Sequence, residues 1–386
     1  MATIGGYWRE AATVILAGKR SGINVVKSSA SSLSRQRFDY DVLMLKRSQK
    51  SKFLPDMHVF PGGTISDADF NPQWHDLFVE VTGHSLLKPG PRFVSRENIL
   101  PMFQVLRPQS ESLLQPEIAF RLCAIRETFE ECGILIITKD ASESGNSTAL
   151  VEPKTSQSLN LSNWRRRVNK NPEEFLKLCQ ELKVVPDIWS LYEWCNWLTP
   201  PMKKAPEIPP AKPRRFDTIF YMCCLAEIPA ARADKRETTV AQWNNPGGLL
   251  VQYQAEKVEM IGPQLYELSK LCNFSSIEDL AHFSSARERR GLQRWLPVPI
   301  FGSDGYMTVL PGDDLYPEKP DFNGTGDLIV KEQTLEELHQ ISKKWNRMPR
   351  TQGLSKRKFL VNITPPLGYA SPHPDTLRVF TEKSHI

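Results

Sequence analysis

Short runs of aliphatic and β-branched residues along the chain are typical of buried strands. The first two runs are Ala11–Leu16 and Asp41–Leu45, and Phe216–Ala226 is the most apolar of them. Further pieces that predict strands are Ile23–Val26, Leu135–Ile137, Tyr306–Leu310 and Lys358–Val361. Polar or proline-rich stretches separate many of these runs: Ala141–Ser162 is rich in Ser and Thr and predicts a surface loop, and residues 200–213 predict an extended linker.

The strongest helix signal begins at Pro116, because a proline followed by an acid, here Glu117, favours a helix N-terminus. An apolar stripe at spacings of 4, 3 and 4 residues follows. Its members are Ile118, Leu122, Ile125 and Phe129. Gly133 is a residue type that commonly ends a helix. Other helical stretches are expected at Trp74–Val81, Arg96–Val105, Pro172–Leu182, Ile188–Leu198, Pro263–Cys272 and Ile277–Arg290.

Three glutamates on the same helix, Glu127, Glu130 and Glu131, lie three and four residues apart and share one face. That face is about 160° away from the apolar stripe, at about 100° per residue, so the glutamates are expected to face solvent. Like charges at this spacing destabilise a helix, and a hard cation such as Mg²⁺ or Mn²⁺ would offset the repulsion. Spacing alone leaves the alternative open that they form an ordinary solvated acidic face.

Composition narrows the class of protein. The chain has 386 residues with 40% hydrophobic residues, enough for a sizeable core, and a net charge of +5. That mild excess suits a small anionic substrate better than nucleic acid, which calls for a stronger basic bias. Seven scattered cysteines predict reduced thiols in a protein that is not secreted, and the apolar runs are too short to span a bilayer.

The stretch Arg126–Ile134 reads RETFEECGI and resembles the signature of the Nudix hydrolases, Arg-Glu-aliphatic-x-Glu-Glu-x-Gly-aliphatic. Thr128 is the departure, since it replaces an aliphatic residue. The upstream half of the signature, a glycine turn and an acid, matches Gly63 and Asp69, with Asp in place of the usual Glu. The spacer between the two halves is much longer than in the family, which implies an insertion at about residues 70–117.

The resemblance implies a role for each matching residue. Glu127 and Glu131 correspond to the main Mg²⁺ or Mn²⁺ ligands, Glu130 shares the metal cluster, and the carbonyl of Gly62 completes a ligand set. Arg126 is expected to orient a glutamate through a charge-assisted hydrogen bond.

The resemblance also implies a general base and contacts to the substrate. The base is expected to be one of the three glutamates or a later acid, for which Glu237 is the candidate. Gly63 and the basic residues before the glycine turn are expected to meet the substrate's phosphates, unless those basic residues are simply solvated. The basic residues are Lys46, Arg47, Lys50 and Lys52, with Arg47 and Lys50 favoured.

The interrupted signature resembles most the branch of the family that cleaves coenzyme A and acyl-coenzyme A. It implies an α/β/α sandwich with a mixed sheet, in residues 8–245, and a helical and irregular C-terminal extension in residues 246–386. The products expected are 3′,5′-ADP and 4′-phosphopantetheine or its acyl form. Two alternatives stay open: hydrolysis of another nucleotide, such as NADH, ADP-ribose or the 5′ cap of RNA, and a non-catalytic module that binds nucleotides.

The sequence ends in Ser384, His385 and Ile386, a small–basic–aliphatic tripeptide that varies the Ser-Lys-Leu peroxisomal address conservatively. It predicts recognition by the peroxisomal import receptor and a peroxisomal location.

Three weaker candidates are expected to be structural. His58 is expected to be a packed or an exposed histidine and Trp243 a core residue, rather than site residues, and Arg165–Arg167 is expected to lie on the surface.

Overall fold

The computed structural model describes residues 8–22, 37–51, 53–86, 99–105, 114–139, 161–200, 215–324, 326–351, 359–374 and 376. The strand predicted at Ile23–Val26, most of the loop predicted at Ala141–Ser162, the linker at 201–213 and the C-terminal tripeptide lie outside the described residues.

In the described part of the chain, ten strands precede the C-terminal sheet. They are β1 (Arg9–Lys19), β2 (Tyr40–Arg47), β3 (His58–Val59), β4 (Gly62–Thr64), β5 (Ile137–Thr138), β6 (Val185–Pro186), β7 (Tyr192–Leu198), β8 (Phe216–Leu225), β9 (Thr238–Asn244) and β10 (Arg294–Trp295). Eight of them form one sheet in the order β10-β7-β8-β1-β2-β3, with β4 paired to β1 and β9 paired to β2. β1 runs parallel to β8 and antiparallel to β2 and β4, so the sheet is mixed.

The helices are α1 (Gln73–Thr82), α2 (Pro116–Cys132), α3 (Leu161–Val168), α4 (Glu174–Leu182), α5 (Pro246–Gln254), α6 (Gly262–Leu271), α7 (Ile277–Glu288) and α8 (Leu335–Gln340). Against the main sheet, α2 packs on β1 and β4, and α7 packs on β1, β7 and β8. The central strands β1 and β8 are buried along most of their length, which explains why their sequences are nearly continuous apolar runs. The expected α/β fold with a mixed sheet is confirmed.

A second sheet lies in the C-terminal region. Its strands are β11 (Val298–Gly302), β12 (Gly305–Val309), β13 (Ile329–Val330), β14 (Asn346–Thr351) and β15 (Leu360–Val361), in the order β13-β11-β12-β14-β15. Buried residues of α5, α6 and α7, together with Met348, Phe359 and Tyr369, belong to the same hydrophobic core as the main sheet. The extension therefore packs on the first part of the chain and contains a five-stranded sheet besides helices. The predicted division at residue 245 stays a prediction.

Two predicted helices are wrong. Ile188–Leu198 forms a short 3₁₀ turn, Ile188–Ser190, followed by strand β7, in which six of the seven residues are buried. A short run that is buried all round has no periodicity to distinguish helix from strand, so the prediction failed there. Within Arg96–Val105, the described part has a 3₁₀ turn at Pro101–Phe103, and 96–98 lie outside the described residues.

The other predictions for the described part differ from the structure mainly at their ends. The strand expected at Leu135–Ile137 is β5, which begins two residues later, at Ile137, and residues 161 and 162 of the predicted loop begin α3. In the described residues, no helix is both long and apolar enough to cross a bilayer.

Candidate active site

Helix α2 begins with Pro116 in its first turn and ends at Gly133, whose φ of 76° is left-handed and is tolerated because glycine has no Cβ. The apolar stripe is buried as predicted, but the opposite face is buried too. Glu130 is 8% exposed and Glu131 is 3% exposed. The expectation that the glutamates face solvent is therefore wrong, because β4 and a pocket above it, rather than bulk water, lie against this face.

The glycine turn lies directly against the acidic face of α2. In β4, Gly62 and Gly63 pair with Thr13 and Ala12 of β1. The Gly62 N–H donates a hydrogen bond of 2.8 Å to Oε2 of Glu131. A Cβ on Gly63 would lie 2.4 Å from Cδ of Glu127, so glycine at this position lets the Glu127 carboxyl lie directly against the turn. The two halves of the signature therefore meet in space, although the two residues that this bond joins are 69 positions apart in the chain.

Arg126 is the centre of the hydrogen-bond network at the site. Its guanidinium binds Asp69 through two bonds of 2.8 and 3.0 Å, and donates to Glu127 at 2.9 Å and to Glu130 at 2.6 Å. A further bond of 3.2 Å goes to the carbonyl of Thr64. Two parallel N–H···O bonds to one carboxylate fix the plane of an arginine. The guanidinium of Arg126, fixed by Asp69, therefore orients the carboxyl groups of Glu127 and Glu130.

Asp69 lies on this network rather than among the clustered glutamates. Besides binding Arg126, its Oδ2 accepts a hydrogen bond of 2.8 Å from the N–H of Ser66, which completes a capping box on the 3₁₀ turn Asp67–Phe70. The aspartate is 1% exposed. Its ion pair with Arg126 therefore ties the chain before the insertion to the helix after it.

Burial raises the pKa of all three glutamates, and the charge of Glu127 adds to the effect at the other two. Burial, followed by the charge of Glu127, raises the pKa of Glu130 to about 8 and holds the pKa of Glu131 well above its usual range. Burial also raises the pKa of Glu127, against the opposing effect of Arg126. A cluster of carboxylates in this state gains most from a nearby positive charge.

The donor chemistry of the cluster fits a divalent cation, since Mg²⁺ and Mn²⁺ prefer carboxylate and carbonyl oxygens. In the described part of the chain, no group of three or more Asp, Glu, His or Cys side chains converges in the geometry of a metal site. Instead, oxygens of Glu127 and Glu130 are bonded to Arg126, and an oxygen of Glu131 is bonded to the Gly62 N–H. The roles of these residues as ligands stay a prediction.

A pocket of about 1150 Å³ opens above the cluster. That is slightly larger than the roughly 300–1,000 Å³ typical of sites for drug-sized ligands. Predicted site residues that line it are Arg47, Lys50, Gly62, Gly63, Arg126, Glu127, Glu130 and Glu237. Glu131 is not among the lining residues; it lies behind the turn, against Gly62. The pocket therefore unites most of the residues that the sequence singled out.

Two family models match the chain, one described as the NUDT19 Nudix domain over residues 8–271 and one as the NUDT19 C-terminal domain over residues 300–362. The chain belongs to the NUDT19 group of Nudix hydrolases.

Curated relatives of this Nudix hydrolase match it along nearly its whole length. Proteins named acyl-coenzyme A diphosphatase NUDT19 are 39% identical in Xenopus laevis, over 95% of this chain and 96% of the relative, and 40% identical in Gallus gallus, over 89% of each. The Homo sapiens protein of that name is 35% identical, over 98% of this chain and 97% of the relative.

Of the basic residues before the glycine turn of this Nudix hydrolase, Arg47 and Lys50 line the pocket and Lys46 does not. Arg47 donates to Oγ of Ser51 and to the carbonyl of Phe53, and its charge lowers the pKa of Glu131 after the larger effects of burial, Glu127 and Gly62. Lys50 is exposed at the pocket. Lys46 pairs instead with Asp56 at 3.2 Å, and Lys52 lies outside the described residues.

Glu237 lies close enough to the cluster for its charge to raise the pKa of both Glu127 and Glu131, as one of the smaller contributions. It is exposed and precedes β9, and its carbonyl accepts from the N–H of Ser48. The sequence prediction therefore placed an acid correctly beside the cluster, while its role as a base stays a prediction.

Arg165 is a site residue that the sequence prediction missed. It was expected on the surface, but its Nε donates to the carbonyl of Glu130 and its Nη1 to the carbonyl of Arg232, both at 2.7 Å. A carbonyl near the end of a helix lacks an intrahelical partner, and Arg165 supplies one at Glu130. The local sequence gave no signal of this, because the contact joins segments 35 residues apart.

Arg236 also lines the pocket and was not predicted, since it lies next to the candidate Glu237 without a motif of its own. The two residues expected to be structural behave so. His58 is buried, and burial lowers its pKa. Trp243 donates from Nε1 to the carbonyl of Pro229 at 3.1 Å and packs against the core.

Proposed function

We propose that this protein hydrolyses the diphosphate bond of coenzyme A and of acyl-coenzyme A, releasing 3′,5′-ADP and 4′-phosphopantetheine or its acyl form. The observation that carries the proposal is the cluster of Glu127, Glu130 and Glu131 against the glycine turn, from which Glu127 and Glu130 line one large pocket. The relatives named acyl-coenzyme A diphosphatase support this choice of substrate.

Divalent metal ions are general cofactors of Nudix hydrolases, and we infer Mg²⁺ or Mn²⁺ here. Glu127 and Glu131 would hold the ion, with Glu130 and the carbonyl of Gly62 completing the donors. When bound, such an ion neutralises the charge of a diphosphate and lowers the pKa of a water molecule. Arg126 keeps the plane of its guanidinium through Asp69 and thereby holds Glu127 and Glu130 in place.

The protein's own work is to position the diphosphate and the attacking water. Gly63 has no side chain, so the carboxyl group of Glu127 lies directly against the glycine turn, and both residues line the pocket. Arg47 and Lys50, joined by Arg236, supply positive charge at the pocket. Once the attacking water is positioned, the reaction needs no covalent bond between protein and substrate. Positioning and charge neutralisation then account for most of the lowering of the barrier.

A general base must accept the proton of the attacking water. Two assignments fit the pocket: one of the clustered glutamates, or Glu237, which is exposed beside them. Glu130 lines the pocket and its carboxyl accepts a hydrogen bond from Arg126, whereas Glu237 lies at the exposed side of the cluster. Replacing Glu130 and Glu237 by Gln, one at a time, distinguishes the assignments, because loss of the base removes the limb of the pH–rate profile that rises with pH.

We further propose that the enzyme works in the peroxisome. The C-terminal Ser384-His385-Ile386 supports this as a variant of the peroxisomal address. Fluorescent protein carrying the last residues of the chain should enter peroxisomes, and deletion of the tripeptide should leave it in the cytosol. Cytosolic distribution of both forms would overturn the localisation.

The substrate is tested by incubating the purified protein and Mg²⁺ with coenzyme A, NADH, ADP-ribose and capped RNA, and identifying the products by mass. The proposal predicts that coenzyme A is cleaved with the highest kcat/KM and that each product carries one phosphate of the diphosphate. Intact coenzyme A beside a cleaved NADH, ADP-ribose or cap would overturn the substrate and keep the enzyme. No cleavage of any of them would favour a module that only binds nucleotides.

A further inference from the structure

The pocket above the glutamates has a second wall, built by the C-terminal sheet. Pro299 of β11 lies opposite Thr308 of β12, which in turn lies opposite Met348 of β14. These three residues form one row across three neighbouring strands, and all three line the pocket. Pro297 and Tyr306 flank the row and also line it. We call these five residues the C-terminal wall; none of them is charged.

The alternation of strands explains why this wall faces the pocket. Successive residues of a strand point to opposite faces of the sheet. The alternate residues pack with the helix α8 in a separate hydrophobic cluster, which includes Val298, Ile300, Met307, Val309, Leu335 and Leu338. One face of the C-terminal sheet is thus buried against α8, and the other faces the pocket and the main core.

The wall and the phosphate-binding residues lie on different sides of the glutamates. On one edge of β1 are β2 and β4, and the positively charged Arg47 follows from β2. On the other edge are β8, β7 and β10 in turn, and β10 leads through Pro297 into β11. Three strand spacings, roughly 14 Å at about 4.8 Å each, separate β4 from β7. A ligand that reaches from the glutamates to the C-terminal wall must be long.

The pocket between these two sides is lined by more apolar than polar surface. Three alternate residues of β8, Phe216, Thr218 and Phe220, line its floor. Phe53, from the loop after β2, contacts the ring of Phe216 at a centroid distance of 4.8 Å, so that loop covers the floor. Arg9 lies opposite Phe216 in the sheet but is exposed at the rim. The compartment therefore has two phenylalanine rings on its floor, an aromatic cover and an uncharged far wall.

We infer that the C-terminal wall binds the acyl chain of an acyl-coenzyme A substrate. This inference rests on the proposed function. In acyl-coenzyme A, the acyl group and the phosphorylated nucleotide lie at opposite ends of the diphosphate and pantetheine arm. The nucleotide carries a further phosphate and requires positive charge, which lies at Arg47, Lys50 and Arg236. The uncharged wall suits the hydrocarbon chain, because removal of apolar surface from water is favourable.

The test compares hydrolysis of free coenzyme A, acetyl-coenzyme A and lauroyl-coenzyme A by the full-length protein with Mg²⁺. Thr308→Trp adds bulk in the middle of the row. It is expected to lower the ratio of kcat/KM for the lauroyl ester to that for free coenzyme A at least about tenfold, as for a hydrophobic pocket that loses room. Val330→Trp is the matched control, because Val330 is 67% exposed on the edge strand β13, and its ratio should equal that of the wild type.

A second variant distinguishes loss of acyl binding from misfolding caused by added bulk. Tyr306→Ala removes a ring from the same wall without adding volume, and it should also lower the lauroyl ratio while its melting temperature stays near that of the wild type. An unchanged ratio in Thr308→Trp and Tyr306→Ala, with both proteins folded, would overturn the inference. A fall of equal size in Val330→Trp would overturn it as well, because the effect would not belong to the wall.

Calorimetric binding without metal separates this inference from the proposed function. The wild type should bind lauroyl-coenzyme A more tightly than free coenzyme A, and Thr308→Trp should abolish the difference. Equal affinities in the wild type would overturn the acyl compartment even if coenzyme A is hydrolysed. Conversely, a protein that shows the affinity difference but hydrolyses no coenzyme A would overturn the proposed function and leave the compartment standing.

Discussion

The main-chain N–H of Gly62 donates a hydrogen bond of 2.8 Å to the Oε2 atom of Glu131, across 69 residues of chain. The bond joins the glycine turn to the helix that carries the glutamates, and it fixes one oxygen of a carboxylate that is 3% exposed. Hydrogen bonding of an N–H to a carboxylate favours its charged form, but burial and Glu127 outweigh this at Glu131. The site therefore holds its charges in a cluster that a cation would stabilise.

Replacing Gly63 by Ala tests the contact between the turn and the helix. The added Cβ would lie 2.4 Å from Cδ of Glu127, so the carboxyl group must move. Because that group is the end of a flexible side chain, the fold should persist while kcat falls by about 10²-fold, as expected when a reacting group is misplaced by about 1 Å. Activity assays and melting curves measure both effects, and a kcat equal to that of the wild type would show that Glu127 has no fixed place in catalysis.

Replacing Arg126 by Gln tests the network behind the glutamates. The variant leaves Asp69 buried without its cation, and breaking a buried ion pair from one side typically costs about 3–5 kcal/mol. Its melting temperature should fall by several degrees, and kcat should fall with it. Asp69→Asn on the Arg126→Gln background removes the uncompensated charge and should recover part of the stability. Equal melting temperatures of wild type and Arg126→Gln would contradict the central place of this arginine.

His58 gives the protein a component of stability that depends on pH. Burial, assisted by the charge of Lys46, lowers the pKa of His58 in the folded state. The unfolded chain, with a pKa of about 6.5, therefore takes up a proton first as the pH falls. This component is present above about pH 6.5 and is lost as the pH falls below that value. Denaturant titrations at pH 7.5 and 5.5 should show a smaller drop for His58→Gln than for the wild type, and a drop of the same size would remove His58 as the cause.

Local patterns in the sequence predicted the elements that hold the site, but not all of the contacts between them. Helix α2 follows from Pro116, the apolar stripe and Gly133, and β8 follows from its apolar run, because each signal is complete within one segment. Ile188–Leu198 was wrong because a run that is buried on all sides has no periodicity.

The burial of the glutamates and the bond from Arg165 to the carbonyl of Glu130 could not be predicted for a different reason. Both depend on which distant segments pack against α2, and one helix's own periodicity contains no information on its neighbours. The same holds for the row of Pro299, Thr308 and Met348, which exists only once three separate strands are in register.

Glu131→Gln tests the central claim most directly, because the change keeps the size of the side chain and an oxygen for the Gly62 N–H while it removes the charge. With Mg²⁺ and coenzyme A, we expect turnover to be abolished. We also expect the rise in melting temperature that Mg²⁺ gives the wild type, which corresponds to about 2.7 kcal/mol at a concentration of 100 Kd, to disappear. Hydrolysis at the wild-type rate, with the Mg²⁺-dependent rise intact, would contradict the assignment of the glutamate cluster as the metal-dependent active site.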